Sequence, residues 1–518
     1  MTCVHILLVS AAIAAFSSQA PAQTHQHGSA PGIAKSLGDV VFPNSGNAAA
    51  QAPFIRGVGL LHNFEYEEAV KAFQDAQKAD PDFVLAYWGE AMSLNYSLWS
   101  EQQYDAAKAA LAKLAPTPTA RAAKAKTPRE RAYLDAVEAL YGAGTKFERD
   151  IAFADRMDAL AKAYPDDVEA QAFAALATLG RTHGSRDKAN YEKAGAMLVP
   201  LFRRYTNHPG IVHYIIHSYD DPEHARMGLE AARAYDKLAP DSAHAQHMTS
   251  HIFLALGMWP DVERANMRAR AAVERGEGKP IPGLACGHGG TWLAYARMQQ
   301  GLPVEEQIAE CRNSTSALLA EQGETPIVGS GGGASAGLAE MVVRRGIETG
   351  KWDTALPLPE GKLNNARFTF AYGDVLAARS DPAASTAALN RMRAIHSIVA
   401  ANYRKEFPDD DHVMPWLDLT LAQAEAIVLL ANGRNSEGLA ALEHVAKRES
   451  ALPPAFGPPM LLKPSWELLG DVKLAAGDKS GAAAAYRESL KLQPGRRLSL
   501  AGLKATDGNA LASKDGSH

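Results

Sequence analysis

The stretch WELLGDVKLAAGDKSGAAAAYRESLKLQP (residues 466–494) decides the fold. Trp466, Leu469-Gly470, Ala482, Tyr486 and Pro494 punctuate two helical segments in sequence. The same grammar appears at FEYEEAVKAFQDAQKADPD (residues 64–82), with Ala69, Phe73, Ala76 and Pro81. A third copy, GLEAARAYDKLAPDS, carries Pro240. Each unit reads as two antiparallel helices, A then B. Small residues (Ala69, Ala76, Ala482) allow close helix approach, and aromatics (Phe73, Tyr486) fill the gap to the next unit. The proline ends helix B, because it lacks a backbone donor and constrains the residue before it. One such unit cannot bury its apolar face alone, so the units must stack.

These spacings resemble the tetratricopeptide repeat, closely at 466–494 and well at 57–81. The resemblance implies an all-α fold: a right-handed α-solenoid of stacked antiparallel helix pairs whose A helices line the concave wall. Other hairpins follow the scheme, among them EAQAFAALATLG, HIFLALGMW-PDVERANMRA and AEAIVLLANGRNSEGLAALEHV. No alternating strand pattern of any length appears. About 8–11 hairpins are expected. They form an N-terminal array over 51–322 and a C-terminal array over 338–500, joined by a Gly-rich connection (323–337). An acidic, proline-containing loop over 405–416 breaks the second array, and 501–518 reads as a disordered tail. Gly331–Gly333 are not a phosphate loop, because no Gly-Lys-Ser/Thr follows.

The remaining composition agrees with this. The chain has 518 residues, 47% of them hydrophobic and 21% charged, as a folded core requires. Lys+Arg 53 against Asp+Glu 58 leaves a net charge of −5, without the basic footprint of a general nucleic-acid binder. Residues 6–16 form an apolar run of eleven, followed by Ala20-Pro21-Ala22. That pattern predicts a signal peptide over 1–22 cleaved after Ala22, and a periplasmic or secreted protein. The MTCVH start lacks the usual Lys or Arg. Residues 23–50, rich in small residues, read as a flexible leader; His25 would be third from the new N-terminus, a position that can chelate copper or nickel. No later apolar run reaches the ~20 residues of a membrane span. Cys286 and Cys311 remain after cleavage, enough for one bridge but not a disulfide framework.

Histidine carries the chemical signal. Eight of 17 fall between 208 and 288: His208, His213, His217, His224, His244, His247, His251 and His288. His213 and His217 are four apart and share a helix face; so do His247 and His251, with His244 beside them. The pairs recur at 247 − 213 = 34 and 251 − 217 = 34, one tetratricopeptide period. Imidazoles at matched positions on adjacent A helices should therefore meet on the concave face. Aligning the turns at Gly257 and Gly301 pairs His288 with His244. Such a cluster suits a transition metal, Zn or Cu. The expected ligand set is His213, His217, His247 and His251, with His244 and His288 as further members. Asp220, three residues beyond His217, would accept a ligand's second N–H or bind directly. Asp221, Glu223 and Asp261 are also near in sequence. His208 reads as the cap ending a B helix, His224 as solvent-facing, and His62 as a remote extra candidate. A polar, hydrogen-bonded cluster without metal is the alternative reading.

The stretches at 60–92, 208–225 and 244–259 also resemble a bacterial group of exported tetratricopeptide proteins, over most of 55–500. That resemblance implies shared inner-face histidines but no reaction. Tetratricopeptide grooves usually bind a protein or peptide, so a binding scaffold with a metal site is the expected function. A metal-dependent envelope enzyme using the same histidines is the alternative. No His-Glu-x-x-His and no Gly-x-Ser-x-Gly appears, so neither a zincin protease nor a serine hydrolase is indicated.

Overall fold

A computed structural model describes residues 36–182, 186–277, 284–322, 333–352, 364–406 and 413–507. The predicted signal peptide, His25 and most of the Gly-rich connection lie outside these residues. The described chain is an α-solenoid of stacked antiparallel helix pairs, with 23 helices. Two strands of two residues each, β1 (Asn95–Tyr96) and β2 (Glu101–Gln102), form a small ladder.

The first half comprises α1 (Ala48–His62), α2 (Tyr66–Ala79), α3 (Val84–Met92), α4 (Tyr104–Leu114), α5 (Pro118–Ala122), α6 (Pro128–Leu140), α7 (Lys146–Ala163), α8 (Val168–Gly180), α9 (Lys188–Phe202), α10 (Pro209–Tyr219), α11 (Ala225–Leu238), α12 (Ala243–Ala255) and α13 (Trp259–Glu277). The second comprises α14 (His288–Gln299), α15 (Glu305–Gln322), α16 (Gly333–Thr349), α17 (Asn364–Ala377), α18 (Pro382–Glu406), α19 (Val413–Ala431), α20 (Asn435–Ala451), α21 (Ser465–Ala475), α22 (Lys479–Leu492) and α23 (Arg497–Thr506). Local chemistry starts many of them. Asn47, Thr127, Asp167, Asp187 and Ser242 accept backbone N–H groups at helix N-termini, and Thr145 with Glu148 forms a capping box. Gly257 and Gly301 sit at φ +69° and +71° just past α12 and α14, the left-handed position glycine takes most cheaply.

Packing between successive helices builds the stack, and packing between alternate ones sets its inner wall. α8, α10 and α12 touch in series, and α1 contacts both α3 and α10. The N-terminal array therefore curls until its first A helix meets a later one. Its interior is filled: all 11 residues of α10 and all 13 of α12 are buried. The open concave groove expected from the repeat is absent at these helices, because tight curvature brings the chain's own residues across it.

Several boundaries differ from the sequence reading. Residues 36–47 are a packed strap, not a loose leader. Ser36 Oγ donates to the Leu238 carbonyl (2.8 Å), Asp39 N–H to the Asn207 carbonyl (2.8 Å), and Phe42 sits among Phe54, Trp88 and Tyr133. One buried aromatic outweighs a small-residue composition. Helix α16 already begins at Gly333, α18 and α19 take up all but 407–412 of the acidic loop, and α23 extends into the expected tail as far as Thr506. Helix α19 is long and apolar enough to cross a membrane, a length the sequence reading did not find. It packs against α17, α18 and α20, and its Gln423 is buried in hydrogen bonds to the Lys463 carbonyl (3.0 Å) and Ser465 (2.7 Å).

The second array also curls back. Residues 494–497 return to the junction of the two halves: Trp259 Nε1–H of α13 donates to the Gly495 carbonyl (2.9 Å), and Arg497 N–H to Gln299 Oε1 of α14 (2.9 Å). Arg496, 1% exposed, pairs with Glu467 (2.9 Å) and Glu348, and Lys463 also binds Glu467 (2.9 Å).

Cys286 and Cys311 are bonded, across a sequence separation of 25. The bridge holds the short turn before α14 against α15, two residues ahead of His288. A loop of that size corresponds to about 3.5 kcal/mol of unfolded-state entropy. Reduction, or Cys311→Ser, is expected to cost about 3 kcal/mol in urea unfolding; an unchanged midpoint would show that the bridge does not form in solution.

Candidate metal centre

The histidines do converge, but as two sets. His213, His217 and His244 form one, and His247, His251 and His288 the other; within each, one ligating atom per residue lies within 4.8 Å of the others. Each set takes an i, i+4 pair from one A helix and a first-turn histidine from the next. The pairing of His288 with His244 holds as an equivalence of position. The expected grouping of His213, His217, His247 and His251 is not among these sets: each pair is completed by a first-turn histidine of the following A helix, not by the other pair. Rings of His217 and His251 face across the boundary at 6.1 Å.

Fixed acceptors set the tautomers. His213 Nδ1 donates to the His62 carbonyl (2.7 Å). His247 Nδ1 donates to Asn266 Oδ1 (2.8 Å), whose amide nitrogen is committed to the Val262 carbonyl (2.9 Å). His251 Nδ1 donates to Asp220 Oδ2 (3.0 Å). All three partners can only accept, so Nε2 of each neutral ring carries a lone pair into its cluster. In the second set, His247 Nε2 and His251 Nε2 stand 3.3 Å apart. With both rings neutral, a cation between these nitrogens can bind both. Nitrogens bound at roughly 2.0–2.1 Å to a tetrahedral zinc stand roughly 3.3 Å apart. In the first set, His244 Nε2 and His213 Nε2 are 3.1 Å apart.

Burial disfavours the charged form of His213 and His247. It pushes His213 down to about 3 against the opposing His62 carbonyl bond, and His247 down to about 4 against Asn266.

Asp220 stands behind a histidine of the next A helix, accepting from His251 Nδ1. It is also paired with Arg186, which binds Asp221 at 2.9 Å. The helix ends at Tyr219, so Asp220 turns away from the His217 face toward the next repeat. Asp221 holds His224 (2.9 Å), Glu223 pairs with Lys188 (2.7 Å) and Asp261 with Arg264, all outside the clusters.

His62 and His208 belong to a third group, with Glu169. His208 caps the start of α10 rather than the end of a B helix, accepting from Ile211 N–H (3.3 Å). Its Nε2 donates to Glu169 (3.0 Å); His62 Nε2 donates to the other Glu169 oxygen (2.7 Å), and its Nδ1 accepts from the Tyr214 hydroxyl (2.9 Å). Burial pushes Glu169 upward, but His208 and His62 outweigh it and hold the carboxylate down at about 2. Every ring nitrogen here has a matched partner, so this is a closed hydrogen-bond network. It positions His62, whose carbonyl fixes His213. Gly210 permits it, since a Cβ there would lie 2.3 Å from His62 Nδ1.

Aromatic rings finish the walls, and sequence reasoning missed them. Phe64 lies 4.3 Å from His213, 5.4 Å from His244 and 5.9 Å from His217 between ring centres. Its backbone sits at φ +57°, a left-handed conformation costing a bulky residue about 1–3 kcal/mol. Trp292 stands 4.8 Å from His247, 4.6 Å from His251 and 5.1 Å from His288. An open cavity of about 1160 Å³ lies elsewhere, lined by Tyr104, Arg121, Glu138 and Arg149, and shares no residue with either cluster.

Fold and site together define a tetratricopeptide-like α-solenoid whose interior carries two clusters of inward imidazoles. No family model and no curated protein matches the chain. Among solved structures, it aligns over 90% of its length with 78% of a chain in the crystal structure of the APC/C hetero-tetramer Cut9-Hcn1, at 11% identity and TM-score 0.34. It aligns over 89% of its length with 86% of a chain in the structure of Naa15/Naa10 bound to HypK-THB, at 11% identity and TM-score 0.21. Scores this low carry no argument about the function of this chain.

Proposed function

We propose that this is an exported helical-repeat protein that holds transition metal, zinc or copper, on inward histidines of adjacent A helices. One observation carries the reading: each set brings three histidine ligand atoms within 4.8 Å of one another, and acceptors behind His213, His247 and His251 turn Nε2 of these rings inward. Neutral imidazoles with oriented second nitrogens are the usual ligands of these ions. The Cys286–Cys311 bridge supports an oxidising compartment, in line with the predicted signal peptide. The solenoid remains a scaffold in this reading. Because α10 and α12 are covered, a protein or peptide partner would dock on another part of the surface.

Metal analysis of the mature chain tests the proposal. Stoichiometric zinc or copper is expected, on purification or after loading, and His251→Ala should reduce it. Wild-type protein that holds neither ion, and refuses both when they are added, would end the reading. Three imidazoles leave a fourth position for water or substrate, so the loaded protein should also be assayed against esters, peptides and phenols. Turnover abolished by His251→Ala would favour the enzyme reading over metal holding.

A further inference from the structure

The two clusters are one motif used twice. An A helix supplies a pair four residues apart, and the first turn of the next A helix supplies the third ring. Packed helices stand roughly 8–10 Å apart, and one ion reaches nitrogens only roughly 2 Å away. A single ion can therefore bridge α10 to α12, or α12 to α14, but cannot collect rings from all three.

We infer that the chain holds two transition-metal ions in non-equivalent sites, a closed one at His213, His217 and His244 and an open one at His247, His251 and His288. This rests on the metal-holding reading above. The sites share α12: its first-turn His244 joins the α10 pair, and its His247 and His251 join His288 of α14. They differ in their surroundings. Around the first, all three histidines are buried and Phe64 lies across the rings. A bulky side chain kept in the left-handed region is over-determined by its neighbours, and such strain collects at functional positions. Phe64 touches all three rings and shields an ion there on that side. Around the second, His288 is only half-buried, and the polar Asp220–Arg186 pair stands behind His251. An ion at this site meets solvent through the His288 side. The closed site suits retention and the open one exchange, so the protein can deliver one ion while keeping the other.

Zinc loading of the intact mature chain, followed by release into excess EDTA, separates the possibilities. Two equivalents are expected, leaving in two phases whose rates differ at least tenfold. His288→Ala should remove the fast phase and one equivalent; His244→Ala should remove the slow phase and one equivalent. Phe64→Gly, which relieves the backbone strain, should keep two equivalents and speed the slow phase. Circular dichroism of each variant shows whether the fold persists. One equivalent in wild type, lost in both histidine variants, would overturn the two-site inference while leaving metal holding intact. Two equivalents leaving at a single rate would overturn the closed and open assignment. No zinc and no copper in wild type would instead remove the reading on which the inference rests.

Discussion

Arg496→Ala is expected to destabilise the chain by about 3–5 kcal/mol, as when one partner of a buried ion pair is removed. Arg496 is 1% exposed and joins Glu467 on α21 to Glu348 on α16, beside the Tyr295 ring of α14. Alanine would leave Glu348 with Arg497 (2.8 Å) and Glu467 with Lys463 and Ser499 (2.6 Å), without the cation that links the two carboxylates. Urea unfolding followed in the second array reads the effect; a loss under 1 kcal/mol would show that the ring closure is loose. The same group makes the closure acid-sensitive. Burial raises Glu467, but Arg496 and Lys463 outweigh it and hold the carboxylate at about 2, below its ordinary 4.5. The unfolded state then binds more protons between those values. The stabilisation is present above pH 4.5 and is lost as pH falls toward 2.

Loading with zinc or copper should raise stability by about 2.7 kcal/mol per site at a hundredfold excess over Kd, because the unfolded chain offers no preformed cluster. A melting temperature unmoved by metal would contradict this. Without metal, the chain should weaken in mild acid. His213 and His247 are held at about 3 and 4 by burial, below the ordinary 6.5, so the folded state binds fewer protons than the unfolded one from pH 6.5 downward. At pH 5 the two rings together cost about 4 kcal/mol, read as a fall in urea midpoint between pH 7 and 5. Bound metal should flatten that slope, since it holds the same lone pairs against protons.

The sequence reading reached the histidines through spacing alone. His213 with His217, and His247 with His251, had to share helix faces, and a separation of 34 had to place them on successive A helices. These are properties of a helix and a repeat, both local. Spacing could not say how many sites the rings make, since that depends on which neighbour each helix face meets. Asp220 illustrates the difficulty: it lies three residues from His217 yet serves His251, 31 residues away. Phe64 and the His62 carbonyl come from 149 or more residues before His213, in a unit that curvature alone brings alongside.

Helical repeats, their small-and-aromatic packing code and the shared face of the imidazoles are thus written along the chain, because each depends on residues a few turns apart. The filled interior, the division into two clusters and the Arg496 closure arose from the path of the solenoid in space. That path sums small rotations from unit to unit, and its direction is set by side-chain packing between helices far apart in sequence.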